Sequence, residues 1–267
     1  MKIGVFDSGV GGLTVLRELL ASIPEADYLY LGDTARLPYG SKSAATVARY
    51  AVSSVQFLLS HGADYLVIAC NTASALAMQE MQAAVSTGIL GVIEPGARAA
   101  SQITRSRNVW VIGTAATVSS HAYRRELEKL GIKAIEKACP LFVPLVEEGW
   151  TSHPVTEQVA RIYLDELARE QPADGAKSAD VLVLGCTHYP LLKPLLHRVL
   201  PDSMQLIDSA EATARDVAQR LALGSSRASR TPQVKFFATD SVEKFKVLGS
   251  RFLGRNIEHV DLITLAE

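Results

Sequence analysis

The sequence predicts an α/β protein built as two related, pseudo-symmetric lobes, each a parallel β-sheet flanked by helices. Three observations carry this. First, short apolar, β-branched runs alternate with helix-period segments along the 267 residues, the pattern of parallel sheets in α/β layers. Second, polar or small residues cluster where those runs stop: Asp7-Ser8, Cys70-Asn71-Thr72, Thr114 with Thr117, and Cys186-Thr187-His188. Such sheets place ligand sites beyond the carboxyl ends of their strands. Third, the course from Asp7 to Cys70 recurs loosely from Thr114 to Cys186. Each starts at a strand end followed by small residues and a helix, and finishes at a Cys-bearing strand end. No tight period links the two, so the repeat is one of lobes and not of a solenoid.

The first strand spans Lys2 to Asp7 and runs into Ser8-Gly9-Val10-Gly11-Gly12, after which Leu13 to Leu20 has the apolar spacing of an amphipathic helix. Tyr28 to Leu31 is a second strand, closed by Gly32-Asp33-Thr34, with a loop from Arg36 to Ser41. A long helix is predicted from about Ser43 to Leu59, and Gly62 stands where a C-cap belongs. Tyr65 to Ala69 leads to Cys70, followed by a helix from Thr72 to about Val85 and a strand from Ile89 to Ile93 that ends at Glu94-Pro95-Gly96. After a helix ending near Ser106, Val109 to Ile112 is the next strand, and a helix runs from about Ser119 to Leu130. Lys133 to Ala138 is a weaker strand. Leu141 to Trp150 is a short helix bearing Glu147 and Glu148, and Val155 to Glu170 is a longer one. Gln171 to Ala179 is a polar linker. Val181 to Leu184 leads to Gly185-Cys186, then to a helix that Pro190 opens, Pro194 breaks and Pro201 ends. A strand at Gln205 to Ile207, a helix to about Ala222 and a Ser-rich turn from Gly224 to Ser229 follow. A strand from Val234 to Ala238, a helix from Glu243 to Leu248 and a strand from Ile257 to Leu262 close the series.

Composition narrows the function classes. The chain is 48% hydrophobic with a mean hydropathy of +0.15, enough for a large core. Its 27 Lys and Arg balance 28 Asp and Glu, which gives no electrostatic footprint for nucleic acid or an anionic membrane. The three cysteines, Cys70, Cys139 and Cys186, are widely spaced and form no Cys-x-x-Cys, so a disulfide framework is not expected and a reducing, cytoplasmic setting is. No signal peptide is expected at Met1-Lys2, and no apolar run approaches the roughly 18–20 residues of a membrane span.

Two constellations carry the chemistry. Gly9-Val10-Gly11-Gly12 begins like a dinucleotide fingerprint, but position 14 is Thr and no Gly-Lys-Ser/Thr follows, so close packing of strand on helix is preferred to nucleotide binding. Free Cys is usually a buried core residue, and Cys139, in Ala138-Cys139-Pro140, is read that way. Cys70 and Cys186 differ, since each is flanked by hydrogen-bonding residues where an apolar strand ends. Redox pairing brings cysteines close in sequence, and Cys186 with His188 alone is a poor zinc set. A Cys-His nucleophile would leave Cys70 idle. Stereoinversion uses both thiols, one removing a proton from one face of a carbon while the other returns a proton to the opposite face. Asp7 could then orient an ammonium or assist a thiol, and His188 and Glu147 could assist Cys186. Against these stand a helix-cap role for Asp7 and a solvated helix face for Glu147 and its neighbour Glu148. His61, His121, His153, His197 and His259 are assigned no role.

At these residues the chain resembles the bacterial glutamate racemases, of the cofactor-independent aspartate/glutamate racemase superfamily. The matching segments are Ile3 to Gly12, Asp33 to Gly40, Cys70-Asn71-Thr72-Ala73, Gly113-Thr114 with Thr117, Leu184-Gly185-Cys186-Thr187-His188-Tyr189-Pro190, and Asp208-Ser209-Ala210. The resemblance implies interconversion of L- and D-glutamate for peptidoglycan, without pyridoxal phosphate or metal. It implies that Cys70 removes the α-proton from D-glutamate and Cys186 from L-glutamate, assisted by Asp7, Glu147 and His188. Asp7, Ser8, Tyr39, Gly40, Asn71, Thr72, Thr114, Thr117, Thr187 and His188 would hold the substrate. It also implies two α/β lobes facing a cleft that contains the active site, with the chain's end returning to the first lobe: residues 1–95 plus 207–267, and 96–206. The expected partner is a small-molecule substrate, with no nucleic acid, no membrane and no cofactor, and a homodimer is left open. Aspartate racemisation, an amino-acid-binding module and a cysteine hydrolase are the competing readings.

Overall fold

The computed structural model describes residues 1–170, 178–223 and 231–265. Most of the expected linker, Gln171 to Ala179, and the whole Ser-rich turn, Gly224 to Ser229, lie outside the described residues. Ten strands are described: β1 (Lys2–Asp7), β2 (Asp27–Gly32), β3 (Tyr65–Ile68), β4 (Gly88–Gly91), β5 (Asn108–Gly113), β6 (Lys133–Ala138), β7 (Val181–Gly185), β8 (Gln205–Asp208), β9 (Val234–Ala238) and β10 (Asp261–Leu262). They form a six-stranded sheet in the order β10-β9-β2-β1-β3-β4 and a four-stranded sheet in the order β6-β5-β7-β8, with every pairing parallel. Helices cover both sheets, the α/β arrangement that the alternation predicts.

The loose repeat in the sequence has a topological counterpart. The order β2-β1-β3-β4 in the first sheet is matched by β6-β5-β7-β8 in the second. In each, the strand leading to a cysteine, β3 or β7, lies beside the strand ending at Asp7 or just before Thr114. These neighbours flank the point where the chain switches sides of the sheet, and their carboxyl ends border a crevice. Strands β3 and β7 are buried at every position, which is why both read as near-continuous apolar runs.

Two helices cross between the sheets, Ile93–Ile103 and Ser209–Arg220, and they pack on one another. Arg98 and Arg220 both reach Asp216, at 2.8 and 3.2 Å, and both also pair with Glu94. The second sheet runs to Asp208, so the expected lobe boundary at 206/207 falls inside its last strand.

Several local expectations need correction. The helix expected over 72–85 is two, Asn71–Leu76 and Met78–Ala84, because Ala77 leaves helical geometry at φ −136°. The strand expected to reach Ile93 stops at Gly91, and Ile93 instead begins a helix. Glu94-Pro95-Gly96 lies in that helix's first turn, where a missing proline N–H breaks no helical bond. The same helix ends at Ile103, not near Ser106, because Thr104, Arg105 and Ser106 wrap the Asp180 carboxylate with hydrogen bonds of 2.6–2.9 Å. The helix expected from about Ser119 to Leu130 runs Ala122–Lys129, starting after His121 at φ +53°, and a separate short helix, Ala115–Ser119, precedes it where none was expected. Pro194 sits in the first turn of Lys193–Val199 and opens that helix, where a break was expected. The last helix is longer than expected, Val242–Leu253, and ends at Gly254 in the left-handed region, while the last strand is only Asp261–Leu262.

Gly12 tests how tightly the first turn is packed. Its φ of −63° makes no demand for glycine, but a Cβ there would lie 2.5 Å from the Cβ of Asp7 and 2.8 Å from that of Ala69. Both obstacles are β-carbons, fixed to the backbone, and cannot swing away. Gly12→Ala is therefore expected to lower stability by about 1–3 kcal/mol, read as a fall in the urea midpoint. An unchanged midpoint would contradict this packing.

Candidate active site

The first cysteine is held by the turn it belongs to. Cys70 follows β3 and N-caps the helix Asn71–Leu76, its sulfur accepting from the Ala73 amide at 3.5 Å. The thiol donates to Ser8 Oγ, also at 3.5 Å, and the residue is 5% exposed. Burial, and next the charge of Asp7, push the Cys70 thiol up to about 12, against the Ser8 and Ala73 hydrogen bonds. Asp7 ends β1, fully buried, with Oδ2 accepting from the Gly9 amide at 2.9 Å and Oδ1 without a hydrogen-bond partner. It does not cap the following helix, whose N-cap is Gly12. Burial raises the Asp7 carboxyl above the usual range and outweighs the nearby positive charge of His188 and the amides of the turn.

The second cysteine sits in a relay. Cys186 follows β7, and its sulfur lies 3.9 Å from His188 Nδ1. His188 Nε2 lies 3.2 Å from Glu147 Oε1, and Glu147 Oε2 lies 3.7 Å from Lys244 Nζ. The His188 ring packs edge to face on Phe252 at 5.0 Å between centroids. Burial of the ring opposes the charged form, but hydrogen bonds and charge from Cys186 and Glu147 prevail and push the His188 imidazole up to about 10. The bond to His188 holds the Glu147 carboxyl below its usual range, despite partial burial. Of the two adjacent glutamates, Glu147 reaches the histidine and Glu148 is exposed.

The strand ends of the two sheets meet directly. Thr14 Oγ1 donates to the Gly11 carbonyl at 2.9 Å and to the Thr187 carbonyl at 3.1 Å, tying the first turn to the Cys186 turn. A Cβ on Gly11 would fall 2.2 Å from Thr187 Oγ1 and 2.6 Å from His188 Nδ1, so only glycine admits this approach. The Gly-rich turn thus serves packing, as expected, and packs on the second lobe as well as on its own. On the other side, Thr72 Oγ1 meets Thr114 Oγ1 at 2.9 Å and Thr117 Oγ1 at 3.3 Å, and Thr114 and Thr117 are 2.9 Å apart. Gly40 abuts this trio, since a Cβ there would lie 3.0 Å from the Thr114 Cβ.

Asp7, Ser8, Gly40, Cys70, Asn71, Thr72, Thr114, Thr117, Glu147, Cys186, Thr187 and His188 are therefore gathered around one inter-lobe crevice. Tyr39 is placed differently: its buried hydroxyl donates to Asp33 Oδ2 at 2.5 Å and faces the protein. Its phenol is raised by burial and by the Asp33 charge. Asn71 accepts from the Tyr123 hydroxyl at 2.7 Å, which leaves its buried Nδ2 without a hydrogen-bond partner. Tyr123 and Phe252 carry no sequence signal for the site, because they lie in helices among core residues. The unpaired amide donor of Asn71 suits a carboxylate, and the unpaired Asp7 oxygen suits an ammonium. The two thiols, Cys70 and Cys186, each follow the corresponding strand of their own sheet.

Cys139, expected as core, is fully buried, and its thiol is pushed far up by that burial. A separate cavity of about 510 Å³, bordered by Glu80, Glu94, Arg125, Lys129 and Arg220, is lined by none of the candidate residues. Among the described residues no group of three or more His, Cys, Asp or Glu side chains is placed to hold a metal ion, and no helix is long and apolar enough to cross a membrane.

Residues 4–217 match the Asp/Glu/Hydantoin racemase family. The chain is 55% identical to a glutamate racemase of Koribacter versatilis, over 97% of each chain. Its structure is similar to that of a glutamate racemase of Bacillus anthracis, with a TM-score of 0.90 and 37% identity, covering 98% of this chain and 97% of the other. A glutamate racemase of Francisella tularensis solved with D-glutamate matches at a TM-score of 0.87 and 34% identity, with 98% and 97% covered.

The relay predicts an unusual histidine. With its pKa raised from 6.5 to about 10, His188 adds stability that is full below pH 6.5 and is lost as pH rises through about 10. In a histidine-specific NMR titration the His188 ring is expected to stay protonated at pH 8, and Glu147→Gln to move its transition to lower pH. A ring already neutral at pH 8 would contradict the relay.

Proposed function

The chain belongs to the Asp/Glu/Hydantoin racemase family, and on that premise we propose that it interconverts L- and D-glutamate by proton transfer between two cysteines. The observation that carries this reading is the pairing of two buried, hydrogen-bonded thiols at matching strand ends of facing lobes. Relatives 42–55% identical over nearly their whole length are glutamate racemases, which favours glutamate over aspartate. We divide the chain into two lobes as expected, residues 1–95 with the end of the chain and the intervening residues, moving the second boundary from 206/207 to after Asp208 so that β8 stays whole, with the substrate between them. Its product, D-glutamate, would supply peptidoglycan synthesis in the cytoplasm.

The electrostatics assign the resting protons. His188 is an imidazolium between Glu147 and Cys186, a positive charge beside the sulfur that takes the proton from L-glutamate. Cys70, raised to about 12, rests as a thiol. The enzyme is then set for L-glutamate: Cys186 takes the α-proton, and Cys70 delivers a proton to the opposite face. The reverse direction needs Cys70 deprotonated. Asp7 is the nearby base for that task, because burial raises its own affinity for a proton and narrows the gap to the thiol. Asn71, Thr72, Thr114, Thr117, Thr187 and Ser8 hold the carboxylates and ammonium. The Gly40 backbone forms one wall, and Tyr39 contributes through its place in the loop, since its hydroxyl is engaged by Asp33.

The test is to incubate pure protein with L-glutamate, without added cofactor, and follow circular dichroism. The signal is expected to decay to zero, because the enantiomers have equal free energy. Cys70→Ala and Cys186→Ala are each expected to lower the rate by at least about a hundred- to ten-thousandfold. No decay with wild-type protein, or decay only with aspartate, would sink the glutamate reading. Retained activity in Cys70→Ala would point to one-cysteine chemistry.

A further inference from the structure

Asp33 is a buried carboxylate outside the proton-transfer scheme. It closes β2 with no exposure and accepts three hydrogen bonds: from Tyr39 at 2.5 Å, Arg36 Nε at 2.7 Å and Thr239 Oγ1 at 2.9 Å. Two of these donors lie in the Arg36-to-Ser41 loop, and the third follows β9. The base of the loop is stitched to the same place, Ala35 N donating to Thr239 Oγ1 at 2.8 Å and Asp240 N to Thr34 Oγ1 at 2.9 Å. Beyond that base the loop surfaces, with Leu37, Pro38 and Ser41 exposed and Tyr39 the buried side chain among them. Tyr39 enters between Phe6 and Tyr50, at ring separations of 6.3 and 5.9 Å, and ends on Asp33.

The loop touches both sides of the crevice. Leu37 covers the turn after Asp7, since a Cβ on Gly9 would lie 3.2 Å from Leu37 Cδ2. Gly40 reaches across to Thr114 of the second lobe. We propose that Asp33 is a positioning residue: through the Tyr39 hydroxyl it fixes the loop, and so sets the separation of Gly40 from the threonine trio that walls the substrate. Both Asp33 oxygens are already engaged by protein donors, so the carboxylate is a strut and not an acid or base. This rests on the racemase reading for its kinetic consequence but not for its geometry.

The test compares Asp33→Asn, Tyr39→Phe and the double variant by steady-state kinetics with both glutamate enantiomers, and by hydrogen exchange of the 34–41 segment. Losing a hydrogen bond to a charged group is expected to raise KM about ten- to hundredfold for both enantiomers, with kcat changed less than about threefold. The double variant should be no worse than the weaker-binding single one, because both substitutions act on one bond, Asn making it a neutral one and Phe removing it. Exchange in 34–41 should rise in Asp33→Asn and Tyr39→Phe. A fall in kcat with KM unchanged, additive effects in the double variant, or unaltered KM in both single variants would overturn the proposal. If Asp33→Asn does not fold, Tyr39→Phe decides, since it removes only the hydroxyl. If wild-type protein does not racemise glutamate, the failure lies with the racemase reading, and unchanged exchange in the variants would separately overturn the strut.

Discussion

The site exists because two strand-end turns approach more closely than side chains would permit. Gly11 lets the turn after β1 sit against Thr187 and His188 after β7, and Thr14 locks that approach with a hydrogen bond to the Thr187 carbonyl. A β-carbon at position 11 would occupy the space of the Thr187 hydroxyl. The contact brings Asp7 near His188 and thereby couples the electrostatics of the Cys70 and Cys186 sides. The threonine trio makes a second junction, so the two turns and the loop at Gly40 enclose the crevice from more than one side.

The two thiols sit in different electrostatic surroundings. At Cys70 the thiol meets a neighbouring carboxylate and two weak hydrogen bonds, and the proton is retained. At Cys186 it meets an imidazole backed by Glu147, and that ring keeps its proton to about pH 10. The lobes are similar in topology but unequal in charge.

Most of the architecture is legible in the residues. Continuous apolar runs such as Val181 to Leu184 mark strands buried on both faces, and their polar ends mark the crevice. Cys70, Cys186, Asp7 and His188 are visible because polar residues interrupt apolar strands there. What escapes the sequence is set by tertiary contact. Ala77 breaks a helix with no local breaker, and Thr104 to Ser106 leave a helix to bind Asp180, 74 to 76 residues away. Tyr39 belongs to a motif that resembles a substrate-holding element, yet its hydroxyl turns inward to Asp33. Tyr123 and Phe252 look like core residues and are core residues; only the fold sets them against Asn71 and His188.

The central claim is that different cysteines remove and return the proton. It is tested most directly by running the reaction from L-glutamate in deuterium oxide, stopping early, separating the enantiomers and measuring deuterium at Cα in each. Thiol protons exchange with solvent, so a proton delivered by the second cysteine arrives as deuterium. The account predicts D-glutamate almost fully deuterated while the recovered L-glutamate still carries protium. D-glutamate that retains the original protium, or deuterium appearing equally in the recovered L-glutamate, would contradict it.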